Sequence, residues 1–368
     1  MDATLPMQQA LALARQAVGL TEPNPRVGCV IVSADGARVL GQGHTQPAGQ
    51  AHAEIMALRD AAARGQSVRG ATVVVTLEPC AHHGRTGPCC DALVAAGVGR
   101  VVAALADPNP QVAGQGFARL RAAGIAVEVG PGASEARALN IGFFSRMVRG
   151  TPWVRMKIAA SLDGRTALEN GRSQWITGEA ARTDGHAWRA RAGAVLTGIG
   201  TVLEDNPRLD VRLVATPSQP ALVVVDSRLE TPLDAALWLP GRTVLLYCAQ
   251  PEADRMAALQ ARGATVIPLP GPGGKVNLAA MVRDLGERGI NELHVEAGFK
   301  LNGSLVRAGL VDEFLVYLAP KLLGGGAGMA HIGPLASLEE AVALEFGAVE
   351  AVGPDLRVLA RPPGRDAF

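Results

Sequence analysis

Three short segments of this chain have to meet at one point. They are His52-Ala53-Glu54, Glu78-Pro79-Cys80 and Pro88-Cys89-Cys90. The first opens an expected helix over 52–63, the second follows an expected strand over 71–77, and the third begins an expected helix over 89–96. One imidazole and two thiolates form a ligand set suited to zinc, and three protein ligands leave a fourth tetrahedral position for water. A metal also explains the cysteines. There are five, an odd number, and three of them (Cys80, Cys89, Cys90) crowd into one stretch, which no disulfide framework resembles.

Glu54 stands two residues beyond the ligand His52. Zinc lowers the pKa of water towards neutrality, and a carboxylate so placed takes that proton and hands it to a departing amine. The arrangement matches the H-x-E and P-C signature of zinc deaminases, with one departure. That signature separates its cysteines by two residues, whereas Cys80 and Cys89 are separated by eight. The intervening segment must bulge outward while the thiolates converge. Cys89 gains from its place at a helix N-terminus, where the dipole favours a thiolate. Cys90 points elsewhere and is read as a non-ligand, and Cys29 and Cys248 read as small buried hydrophobes. The competing reading is a closed structural site with His82 or His83 as fourth ligand, which leaves Glu54 without a task.

A chain of 368 residues has room for two or three domains. The first series comprises a helix over 5–19, strands over 27–32, 71–77 and 101–106, and the two helices above. It predicts an α/β sheet covered on both faces. Gly150-Thr151-Pro152 is a junction, with domains expected at 1–147 and 148–368. A second series follows, with strands over 154–159, 194–197, 221–225, 244–248, 292–296 and 313–318 and helices over 252–262 and 278–287.

In this half the motifs are weaker. Thr197-Gly198-Ile199-Gly200-Thr201 follows a strand and precedes a helical stretch, so its amides suit a phosphate, although a simple tight turn reads as well. The run from Gly298 to Ser304 is a second candidate phosphate nest. Asp226-Ser227-Arg228 ends a strand where a hydroxyl and a guanidinium suit the 2′-phosphate of NADPH, or simply form a turn.

Formal net charge is +1, from 35 basic and 34 acidic residues, without the basic footprint of a nucleic-acid-editing deaminase. A non-catalytic zinc-stabilised binding protein has no need of Glu54. The apolar runs are strand-sized, and neither a membrane span nor a secretion signal is read, so a cytoplasmic protein is expected.

Pro23-Asn24-Pro25-Arg26-Val27-Gly28, His52-Ala53-Glu54 and the stretch from Glu78 to Cys89, long insert included, resemble the bifunctional deaminase-reductases of riboflavin biosynthesis. The resemblance continues through Lys157 to Arg165, Ser173 to Thr177, Asp205-Asn206-Pro207, Val295 to Gly298 and Ala319 to Gly324. It implies a cytidine-deaminase-like three-layer α/β/α domain followed by a dihydrofolate-reductase-like α/β domain. It also implies zinc-dependent deamination of a phosphorylated diamino-ribosylamino-pyrimidinone, then NADPH-dependent reduction of the ribosyl group to ribityl, in a homodimer.

On the same resemblance, His52, Cys80 and Cys89 hold zinc beside the proton shuttle Glu54. Lys157, Asp205 and Glu296 serve the reduction. NADPH is held by Ala159, Trp175, Thr201, Asp205, Ser227, Gly298, Phe299, Lys300, Leu301, Asn302, Gly303 and Ser304. The substrate meets Asn24, His82 and Arg85 in the first domain, and Ser173, Arg189, Leu209, Arg212 and Glu296 in the second.

Overall fold

Residues 4–82, 87–110 and 112–368, described by a computed structural model, fall into two units. One is Met1–Gly150 with Phe368; the other is Thr151–Ala367. The first unit runs α1 (Thr4–Gln16), β1 (Gly28–Val32), β2 (Val39–His44), α2 (Ala53–Ala63), β3 (Thr72–Val75), α3 (Cys89–Ala96) and β4 (Arg100–Ala103). It closes with α4 (Gln115–Ala122), β5 (Ala126–Val129), α5 (Ala133–Leu139) and α6 (Ile141–Arg149).

Its sheet has the order β2-β1-β3-β4-β5, with β1 antiparallel to both neighbours and the rest parallel. Strand residues point alternately to opposite faces. Cys29, Ile31, Val73, Val75, Val101 and Ala103 therefore share one face with Ala57 of α2, Leu93 of α3 and Leu120 of α4. Val30, Val32, Val74 and Val102 share the other with Met7, Ala10 and Leu11 of α1 and Ala136 of α5. Helices cover both faces, giving three layers. The seat of α2 depends on Gly41 of β2, where a Cβ would lie 2.3 Å from the Ala57 carbonyl oxygen. The opening helix stops at Gln16, short of the expected residue 19, and gives way to a turn.

The second unit begins with β6 (Trp153–Ser161), β7 (Arg165–Ala167), α7 (Glu179–Arg191), β8 (Ala194–Gly198), α8 (Ile199–Asp205), β9 (Ala221–Val225) and β10 (Val244–Cys248). It continues with α9 (Ala253–Ala261), β11 (Ala264–Pro268), α10 (Leu278–Glu287), β12 (Glu292–Val295), α11 (Phe299–Arg307) and β13 (Glu313–Ala319). The last strands are β14 (Ala327–Gly328), β15 (Glu345–Val352) and β16 (Asp355–Arg361).

Nine strands form one sheet in the order β11-β10-β9-β8-β12-β6-β13-β16-β15. The first seven are parallel, and β16 and β15 add an antiparallel hairpin at the edge. The central strands are mostly apolar, as strands buried on both faces tend to be. The exceptions form a buried cluster: Arg155 of β6, 2% exposed, is paired with Glu292 of β12 and Glu313 of β13. In such open parallel sheets, ligands gather at the carboxyl ends of the strands.

Candidate active sites

In the first unit, His52 is the residue before α2, Cys80 follows β3, and Cys89 is the first residue of α3. These elements lie side by side on one sheet, so the three ligand atoms converge within 4.8 Å of one another. His52 Nδ1 stands 3.6 Å from Cys80 Sγ and 3.4 Å from Cys89 Sγ. A tetrahedral ion with Zn–N of about 2.0–2.1 Å and Zn–S of about 2.3 Å sets nitrogen and sulfur about 3.5 Å apart. The donor set fits zinc without rearrangement. Before an ion binds, the two thiols share one proton: the Cys89 side chain donates to Cys80 and lowers its pKa, while Cys89 itself, in that bond and buried, is pushed up despite the helix N-terminus expected to favour its thiolate. The Cys89 backbone N–H donates to Cys80 Sγ at 3.4 Å.

Cys90 faces the other way. Its thiol donates to the carbonyls of Pro79 (3.1 Å) and Gly116 (3.5 Å), and burial pushes its pKa up to about 12. Glu54 sits in the first turn of α2, 4% exposed, and lines the same cavity of about 340 Å³ as His52 and Cys80. Burial first, then the negative charge of Cys80, raises its carboxyl to about 7. A group near neutrality suits a shuttle that must both accept and release a proton.

Glu78 has a different task. Its carboxylate accepts the backbone N–H groups of Asp107 (3.0 Å), Gly114 (3.0 Å), Gly116 (2.8 Å) and Phe117 (3.2 Å). It thereby ties the Cys80 segment to the loop that carries Asp107 and Asn109 into the cavity.

Asn24 and His82 line this cavity, whereas Arg85 and His83 lie outside the described residues. Sequence reasoning passed over Gln50, Asp107 and Asn109, which line it too. The available signal was Asp107-Pro108-Asn109-Pro110, a Pro-framed polar turn beyond a strand, like Pro23-Asn24-Pro25. Burial raises Asp107 to about 6.

The second cavity, about 1810 Å³, opens at the carboxyl ends of β6, β8 and β12. Ligand pockets commonly measure roughly 300–1,000 Å³, so there is room for two ligands. It gathers Lys157, Ala159, Ser173, Trp175, Arg189, Thr201, Asp205, Leu209, Arg212, Glu296, Gly298, Phe299 and Asn302. Ser227, Lys300, Leu301, Gly303 and Ser304 are not among its walls.

The run from Gly298 to Ser304 is not a loop nest. Gly298 precedes α11, and the following residues form its first turns. Gly303 faces away from the cavity, where an added Cβ would lie 1.9 Å from the His331 carbonyl oxygen. Asp226 takes the turn alternative: its buried carboxylate accepts Glu230 N–H (2.9 Å) and Thr231 N–H (2.8 Å), capping the turn after β9. Arg228 is exposed and paired with Glu230 at 3.2 Å.

Glu296 is the electrostatic centre of the cavity. Arg189 grips both its carboxylate oxygens, and Lys157 Nζ lies 3.7 Å from Oε2. Burial works to raise this carboxyl, but Arg189 and then Lys157 overcome it and hold it well below its ordinary value. Arg189 also donates to the Asp210 carbonyl at 2.8 Å, so its guanidinium is largely committed to the protein. Arg212 is more open, with one bond to the Asp210 carboxylate at 2.8 Å and a side chain 46% exposed.

Comparison with known proteins covers both units. Residues 2–105 match the cytidine and deoxycytidylate deaminase zinc-binding region, and residues 152–358 match the RibD C-terminal domain. The riboflavin biosynthesis protein RibD of Escherichia coli (strain K12) is 46% identical over 364 residues, covering 95% of this chain and 96% of its own. The solved Acinetobacter baumannii RibD (form 1) superposes with a TM-score of 0.87 at 40% identity, over 97% of both chains. A diaminohydroxyphosphoribosylaminopyrimidine deaminase/5-amino-6-(5-phosphoribosylamino)uracil reductase from Thermotoga maritima gives 0.84 at 32% identity, again over 97% of each.

Proposed function

Because the chain belongs to the RibD family of bifunctional riboflavin-biosynthesis enzymes, with a deaminase and a reductase domain, we propose that its two cavities perform the two steps in turn. The smaller deaminates 2,5-diamino-6-ribosylamino-4(3H)-pyrimidinone 5′-phosphate with release of ammonia. The larger reduces the ribosyl group of the resulting 5-amino-6-(5-phosphoribosylamino)uracil to ribityl. The chemistry supplied by the bound groups is activation of water by zinc and hydride donation by NADPH.

The chain's own residues do the rest. His52, Cys80 and Cys89 hold the ion; Glu54 takes a proton from the attacking water and delivers it to the leaving amine. Asn24, His82 and Arg85 hold the pyrimidine and its phosphate. In the reductase cavity, Glu296 fixes Lys157 where charge changes at the opened ribose, with Asp205 at the rim, and Ser173, Leu209 and Arg212 hold the substrate. NADPH occupies the region of Ala159, Trp175, Thr201 and the start of α11, whose N-terminal amides suit a phosphate. The observation that carries this reading is the pair of nitrogen–sulfur distances, 3.4 and 3.6 Å, with buried Glu54 on the same cavity.

The direct test supplies the diamino substrate with and without NADPH. Ammonia should appear in both cases, and nicotinamide absorbance should fall only after ammonia is released. NADPH consumption without ammonia overturns the order.

We further propose a cytoplasmic homodimer. All five cysteines are free, and thiolate ligands persist in a reducing compartment. No helix among the described residues is long and apolar enough to cross a membrane. Edge strand β15 exposes Phe346 (78%) and Val349 (54%), the kind of apolar edge that a second copy covers. Light scattering should give twice the chain mass, and Phe346→Glu should reduce it; a monomeric wild type refutes the dimer.

A further inference from the structure

His186, on α7, is 4% exposed and lines the reductase cavity. Its Nδ1 accepts the backbone N–H of Arg212 at 3.1 Å. A backbone amide only donates, so Nδ1 must be unprotonated and the hydrogen of the neutral ring must sit on Nε2. No hydrogen bond reaches Nε2 from any described residue. The ring therefore presents a fixed N–H donor at the wall of the cavity, where its acceptor is whatever fills that space, water or ligand. Burial, and then Arg189 and Arg212, push the ring's pKa down to about 4, while Glu296 and Asp210 pull weakly the other way. It stays neutral, among cations, at any ordinary pH. A neutral donor near the open Arg212 guanidinium suits a phosphoryl oxygen, which that cation attracts.

We propose that His186 is a substrate-specificity residue of the reductase cavity, donating its Nε2–H to a phosphoryl oxygen of the phosphorylated substrate beside Arg212. This inference rests on the reading above that Arg212 holds the substrate, and takes the phosphate as the substrate group that a guanidinium there meets. Phosphate groups reach this cavity from two sources, the substrate monoester and the NADPH phosphates, and the inference commits to the first.

Two variants separate binding from structure. In Asn, the amide oxygen takes the place of Nδ1 and keeps the Arg212 N–H satisfied, but nothing replaces Nε2–H. In Gln, the terminal amide reaches the Nε2 position and keeps the donor, while the Nδ1 acceptor is lost. His186→Asn should raise the reductase KM for 5-amino-6-(5-phosphoribosylamino)uracil roughly 10- to 100-fold, as expected for a lost hydrogen bond to a charged group. Its kcat should stay within about threefold of wild type. His186→Gln should keep KM within about threefold. With the dephosphorylated substrate, His186→Asn and wild type should match, and NADPH affinity from fluorescence quenching should be unchanged.

The opposite pattern, Gln impaired and Asn silent, makes His186 merely structural and overturns the inference. A rise in the NADPH Kd with substrate KM unchanged assigns the donor to the cofactor and equally overturns it. Arg212→Ala serves as reference. If it shifts phosphate discrimination while His186→Asn does not, this inference alone fails; if neither shifts it, the phosphate reading of Arg212 fails as well.

Discussion

Glu296 and Arg189 meet through two hydrogen bonds, one at each carboxylate oxygen, so the carboxylate that faces Lys157 cannot turn away from it. A bidentate guanidinium–carboxylate pair fixes orientation as well as charge. Lys157 is thereby held at 3.7 Å by an anion whose position is set from behind.

Glu296→Gln should therefore damage reduction selectively. The amide leaves Arg189 without its counter-charge and Lys157 without its anchor. Reductase kcat/KM with the deaminated substrate should fall by about 10²-fold or more, while ammonia release from the diamino substrate stays at the wild-type rate. Reduction within about twofold of wild type would remove Glu296 from the mechanism.

Cys89 and Cys90 are neighbours with opposite assignments, and metal content tells them apart. Cys89 Sγ faces His52 Nδ1 at 3.4 Å, whereas the Cys90 thiol is spent on the Pro79 carbonyl at 3.1 Å. Cys90→Ser, which keeps a donor, should purify with one zinc per chain and near-normal deaminase activity. Cys89→Ser should lose most of its zinc and its ammonia release, and still oxidise NADPH when given the deaminated substrate. The reverse metal contents would exchange the two residues' roles.

Glu78 is a structural carboxylate in a catalytic neighbourhood. Its truncation strands four backbone N–H groups, and unsatisfied buried donors cost about 1–3 kcal/mol each before relaxation. Glu78→Ala should destabilise the deaminase unit by at least about 2 kcal/mol in urea and raise the deaminase KM through Asp107 and Asn109. Unchanged stability would show that water replaces the carboxylate without loss.

The histidine of α7 gives a pH signature. Its folded-state pKa of about 4 lies below the ordinary 6.5, so as pH falls the unfolded chain takes up the proton first. The fold keeps its full stability with respect to this group above about 6.5 and loses it progressively towards 4. Urea midpoints at pH 7.5 and 5.5 (about two units apart) should fall less in His186→Asn than in wild type. Equal falls would place this ring's ionisation at its ordinary value in the folded chain.

How much of this was legible in the sequence depended on whether a signal was local. Runs such as Ala221–Val225, Val244–Cys248 and Leu278–Glu287 have the observed bounds of β9, β10 and α10, because continuous apolar strands and an amphipathic helix declare themselves. Strand β2 was missed: Gly41 and Gly43 stand where apolar residues would alternate, and it is the missing Cβ that lets α2 lie close. The run from Gly298 to Ser304 reads as a phosphate nest after a strand, whereas Gly298 precedes α11 and Gly303, within it, packs on His331.

The zinc site was legible because its residues fall in three compact segments, 52–54, 78–80 and 88–90. The reductase cavity was less so. Glu296 comes from the end of β12, Lys157 from β6, and Arg189 and His186 from α7, and nothing in their spacing announces that they meet. Likewise the four amides that Glu78 gathers come from the loop after β4 and the first turn of α4, a partnership visible only in three dimensions.

One protein tests the whole account most directly: Glu54→Gln, assayed on both substrates with its zinc counted. It should carry one zinc per chain, release ammonia slower than wild type by about 10²- to 10⁴-fold, and reduce the deaminated substrate normally. Ammonia release at a near-normal rate from that zinc-loaded variant would contradict the account at its centre.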